Sequence, residues 1–64
     1  MYERSIELHV KRVTGERMII ILPDHYSLET ASQVAKYGVE RGLNMYADIF
    51  MNGKFCGGYS VIKT

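Results

Sequence analysis

Early in the chain Ile6, Leu8 and Val10 fall on one side of an extended backbone and Glu7, His9 and Lys11 on the other. That period of two predicts a half-buried strand within residues 2–13. Thr14-Gly15-Glu16 supplies a turn, and Arg17 to Leu22 predicts a second strand. With Thr14 and Gly15 as turn residues, Val10 faces Ile19 and Leu8 faces Ile21, gathering five aliphatic side chains on one face. A turn at Gly15-Glu16 instead pairs Arg12 with Ile19 and Val10 with Ile21. Met18-Ile-Ile-Ile-Leu22 is apolar at every position, which predicts an internal strand covered on both sides. Pro23 has no N–H for a ladder and closes the strand, and Asp24-His25-Tyr26 makes the connection.

Ser27 can accept from the free N–H groups of a first helical turn, so a helix is expected from about Leu28 to Arg41, ended by Gly42 in the left-handed conformation. Its apolar stripe is Leu28, Ala31, Val34, Ala35, Gly38 and Val39, with Tyr37 to one side. Gly38 inside a helix costs roughly 0.5–1 kcal/mol relative to Ala, which suggests a close approach to the sheet. Asn44 to Met51 and Lys54 to Lys63 form a last hairpin around Asn52-Gly53, the pair that a two-residue type I′ turn demands. The expected pairs are Met51 with Lys54, Phe50 with Phe55, Ile49 with Cys56, Asp48 with Gly57, Ala47 with Gly58 and Tyr46 with Tyr59. The reading is one α+β domain over residues 1–64, β-β-α-β-β, a four-stranded mostly antiparallel sheet with a single helix on one face.

One helix covers one sheet face, and the pattern leaves open which. Packing large residues against a small helical stripe favours Tyr46, Phe50, Phe55 and Tyr59 beneath the helix. Met45, Ile49, Met51, Cys56 and Ile62, with some of Met18, Ile20 and Leu22, then lie open. The converse places Ala47, Cys56 and Gly58 under the helix and the aromatics outside. Either way the uncovered face is apolar, and patches beyond a few hundred Å² mark an interface. Covering about 500 Å² would contribute about 12 kcal/mol gross, before association costs. The competing expectation is that strand twist and the stems of Lys11 and Arg17 cover the patch.

Sixty-four residues form a small domain whose core is marginal without a staple or partner. Cys56 is the single cysteine, so no internal disulfide forms, and Cys56, His9 and His25 lack zinc spacing. A lone cysteine and no signal peptide point to a cytoplasmic protein, a mature secreted fragment being the alternative. The longest apolar run, Met18 to Leu22, is far short of a bilayer span. Net charge is +1, eight basic residues against seven acidic, mixed along the chain, which gives no broad field for nucleic acid or membrane.

His9, Asp24, His25, Asp48 and Cys56 are the candidates for chemistry, and none lies in a nucleophile, phosphate-loop or metal signature. His9 reads as a solvated strand residue, Asp24-His25 as helix capping and Cys56 as a small buried hydrophobe. Gly57-Gly58 marks a bulge or a close backbone approach. No cofactor or metal is expected, and a pocket deep enough for an enzyme does not fit a chain this short. In size, in lacking a catalytic signature and in a single helix over a small antiparallel sheet, the chain resembles in build the very small host-takeover proteins of bacteriophages. That resemblance implies a protein that binds and inhibits a host enzyme, and it carries over no residue.

The expected function is therefore a non-catalytic protein-binding module, a homodimer or an inhibitor or adaptor of a larger protein. It would act through the uncovered sheet face or an exposed edge strand. The candidate binding residues are Tyr46, Asp48, Phe50, Phe55 and Tyr59, aromatics giving rigid contact area around a polar handle. The alternative is a single-stranded nucleic-acid binder stacking bases on those aromatics, its cations Lys11, Arg12, Arg17, Lys54 and Lys63.

Overall fold

The computed structural model describes residues 5–23 and 25–61. Asp24, Ile62 and Lys63, read above as a cap, an open-face residue and a cation, lie outside them. Four strands and one helix follow in the order β1 (Ile6–Arg12), β2 (Arg17–Leu22), α1 (Leu28–Glu40), β3 (Asn44–Met51) and β4 (Lys54–Ser60). All three strand pairings are antiparallel, and the sheet order is β2-β1-β3-β4. The arrangement is α+β, with the first strands of the two hairpins joined at the centre. β2, expected inside the sheet for its apolar run, is instead an edge strand.

The first turn decides which way β2 faces. The Arg12 N–H donates to the Glu16 carbonyl at 2.7 Å and the Gly15 N–H to the Arg12 carbonyl at 2.9 Å. The loop is thus Val13-Thr14-Gly15, with Gly15 at φ 101°, a three-residue turn closed by a left-handed glycine. Neither expected register holds: Leu8 faces Ile20 and Val10 faces Met18. One residue of shift exchanges the faces of β2, so Met18, Ile20 and Leu22 join the side of Ile6, Leu8 and Val10, while Ile19 and Ile21 turn outward.

Asn52 and Gly53 take φ of 53° and 83°, as the type I′ turn requires. Asn52 also ties down the start of β1: its N–H donates to the Ser5 carbonyl at 2.8 Å, and its side-chain oxygen accepts from the Ser5 N–H at 2.9 Å. Met51–Lys54 and Phe50–Phe55 pair as expected. A bulge then intervenes, and Ile49 meets Gly57, Asp48 meets Gly58, Ala47 meets Tyr59 and Tyr46 meets Ser60. Gly57 carries it at φ 133°. Gly58 is a close approach as well, since a Cβ there would lie 2.8 Å from the Ala47 carbonyl oxygen.

Ser27 caps the helix, its hydroxyl accepting from the Thr30 N–H at 3.1 Å. At the other end the Leu43 N–H donates to the Gly38 carbonyl and the Gly42 N–H to that of Val39, a Schellman motif around Gly42 at φ 79°. Gly38 makes room for a side chain, that of Asn44, whose amide nitrogen would lie 2.5 Å from a Cβ on it. The core takes Ile6, Leu8 and Val10 from β1, Ala47 and Ile49 from β3, Ala31, Ala35 and Val39 from α1, and only Leu22 from β2. The favoured packing with the aromatics beneath the helix is therefore overturned for Tyr46, Phe50 and Phe55, and of the four only Tyr59 packs on that side. α1 packs chiefly on β3, then β4, touching β1 less and β2 at most marginally.

Candidate functional site

With these registers the open sheet face can be read as three rows. Ile21, Glu7, Phe50 and Phe55 form the first, Ile19, His9, Asp48 and Gly58 the second, and Arg17, Lys11, Tyr46 and Ser60 the third. Tyr46, Asp48 and Phe50 are half-buried there, and Phe55 is 62% exposed. Tyr59 is not among them. The bulge carries it to the helix side opposite Ala47, where it packs against the core.

His9 does not stand free in solvent. Its ring lies 4.3 Å from that of Phe50, tilted by 34°, and Nε2 is 3.0 Å from a Glu7 carboxylate oxygen. Phe55 meets Phe50 edge-on at 5.7 Å. Stacking of this kind is worth about 0.5–1.5 kcal/mol beyond burial, and it takes up one face of the central Phe50 ring. A groove of about 490 Å³ runs along this side between His9, Tyr46, Arg17 and Ile19. Charges of both signs share this face, Lys11 and Arg17 with Glu7 and Asp48.

The most exposed apolar surface belongs to a strand that carries none of the expected site residues. On β2, Ile21 is 70% and Ile19 61% exposed on the open face, and Met18 and Ile20 are 39% and 38% exposed on the helix side. The stems of Lys11 and Arg17 thus leave the patch uncovered. Two facts produce it: the three-residue turn sends Ile19 and Ile21 outward, and α1 sits over the far half of the sheet. An apolar run with no charge between Arg17 and Pro23 signals this strand in the sequence, but signals equally a buried one. β4, at the other edge, is interrupted by its bulge and its two glycines, a protected form of edge.

The residues weighed for chemistry are dispersed. Cys56, expected buried, is exposed at the bulge with its Sγ 3.4 Å from the Lys54 carbonyl oxygen. His25 packs beside Tyr26 at 5.1 Å between ring centres, in the connection before the helix. Among the described residues no three His, Cys, Asp or Glu side chains gather closely enough to hold a metal ion. No helix among them is long and apolar enough to cross a membrane. No family model matches the chain, and neither a curated protein nor a solved structure matches it.

Proposed function

We propose that this chain is a non-catalytic protein-binding module whose contact surface is the β2 edge together with the adjoining open face. One observation carries the reading: a straight edge strand, apolar at five consecutive positions, exposes side chains to both sides of the sheet. Burying an isoleucine contributes about 1.5–3 kcal/mol, so Ile19 and Ile21 alone offer a few kcal/mol to whatever covers them. Backbone pairing along the edge would add affinity, and side-chain pockets selectivity. Phe55, in one row with Ile21, extends the apolar area across the open face.

The competing reading is a single-stranded nucleic acid stacked on Tyr46, Phe50 and Phe55. His9 already occupies a face of Phe50, and Glu7 and Asp48 lie among the cations, which favours protein. A photo-crosslinking amino acid at Ile21, with one at Thr30 on the exposed helix surface as control, tests the choice. Protein adducts at position 21 and none at position 30 are expected, with yields nearly independent of salt. Binding of an oligothymidylate or oligouridylate that weakens steeply with salt, without protein adducts, refutes the reading.

A further inference from the structure

Resting on that reading, we infer that the occupant of the β2 edge is a second copy of this chain, its β2 antiparallel to the first about a two-fold axis through Ile19, giving a continuous eight-stranded sheet. The hydrogen-bonding parity of the strand points there. Arg12 and Glu16 form a bonded pair, and antiparallel pairs alternate between bonded and non-bonded. The amides of Met18, Ile20 and Leu22 therefore turn to β1, and those of Arg17, Ile19 and Ile21 turn to the free edge. These three outward residues are symmetric about Ile19. A two-fold there sets Ile19 against Ile19 and Arg17 against Ile21 of the other copy, each a bonded pair.

The neighbouring register, centred on Ile20, sets Arg17 opposite Pro23, which has no N–H to give its carbonyl. Centring on Ile19 moves Pro23 opposite the turn glycine, Gly15, beyond the ladder. The only charged side chain of β2, Arg17, then faces an isoleucine rather than its own copy, and stands in one row with Glu7 of the other chain. On the helix side Met18 meets Ile20, the two half-exposed residues that α1 leaves uncovered. The two helices lie on the same side of the joined sheet, each displaced from the seam toward β3 and β4, so they do not collide.

The exposed fractions of Met18, Ile19, Ile20 and Ile21 amount to at most about 400 Å² per copy, half of a standard interface, which puts this dimer at the weak end of association. The test is sedimentation equilibrium from micromolar to millimolar protein, with Ile19→Lys alongside. The parent is expected to shift from 7.3 kDa to twice that mass, and Ile19→Lys to make the same shift only at higher concentration, with an unchanged circular dichroism spectrum. Its dissociation constant rises at least about tenfold, because the two lysines would stand directly opposite.

Cysteine pairs report the register, in a Cys56→Ser background because Cys56 is exposed. Ile19→Cys should cross-link rapidly at a Cα separation of about 5.5 Å. Ile20→Cys, about 8 Å from its copy, should not. A parent that stays monomeric at millimolar concentration overturns the second copy as partner, while heterologous protein adducts at Ile21 would still uphold the binding module. A dimer whose dissociation constant Ile19→Lys leaves unchanged, or that cross-links through position 20, overturns this geometry and leaves self-association standing.

Discussion

Replacing Gly57 with valine puts the origin of the open face to a direct test. Gly57 holds φ at 133°, and a Cβ added there would meet no atom within 4 Å, so space is not the obstacle. The backbone is, because a β-branched residue in this region costs about 1–3 kcal/mol. The chain's other option is to give up the bulge. Ile49 would then face Cys56, and Tyr59 would leave Ala47 for the open face opposite Tyr46. That route forfeits Tyr59's packing on the core, part of the roughly 1.5–3 kcal/mol that a buried large side chain contributes. Either way the loss is about 1–3 kcal/mol, against a total of about 3–10 kcal/mol for 64 residues. Deleting Gly57 is the control. It removes the extra residue while keeping Tyr59 opposite Ala47 and Gly58 opposite Asp48, and should cost less than about 1 kcal/mol. Urea titration followed by circular dichroism measures both variants, and Tyr59–Ala47 against Tyr59–Tyr46 nuclear Overhauser effects report the register. The reasoning fails if valine is tolerated within about 0.5 kcal/mol with Tyr59 still on Ala47, or if the deletion costs more than the substitution.

Leu8→Ala, at the middle of the core and 1% exposed, should lose about 2–5 kcal/mol and leave the isolated chain largely unfolded at 37 °C by circular dichroism. Gly58→Ala should cost about 1–3 kcal/mol in urea titration, since its methyl would press on a backbone oxygen 2.8 Å away that cannot swing aside. Ser27→Ala removes the cap on the Thr30 N–H and should cost about 1 kcal/mol, with faster amide exchange confined to the first helical turn. Phe55→Ala, at a site 62% exposed, should change the unfolding midpoint little, by less than about 1 kcal/mol in stability.

What the sequence made legible follows from where its signals act. The Asn52-Gly53 turn, the Ser27 cap and the Gly42 stop are local chemistry, and each stands where its residues demand. The two registers depend on a choice between nearly equal local options. Gly15 serves as well in a two-residue turn as at the third position of a three-residue one, and the observed register is the one that buries Leu22 opposite Ile6 in the core. Gly57 likewise permits a bulge without requiring one. These two single-residue steps redistribute the candidate site, removing Tyr59 from the open face and adding Ile19 and Ile21 to it. The run Met18–Leu22 was the least legible element. Apolar residues on both faces state that both need cover, not whether the cover comes from the same chain.

The central seam also governs how the molecule assembles. Each hairpin is local, but β1 meets β3 across the middle of the chain, from Ile6 opposite Met51 to Arg12 opposite Asn44. Neither hairpin has a core of its own: Ile6, Leu8 and Val10 come from one, Ala47 and Ile49 from the other, and α1 belongs to the segment joining them. Closing that loop must therefore precede most of the burial that rewards it, and folding should be limited by this encounter rather than by either turn. The same wiring predicts an all-or-none transition with no stable half-molecule. Chains cut between β2 and α1 would yield two fragments that are unstructured apart and order only on meeting, the seam acting as the nucleus for both.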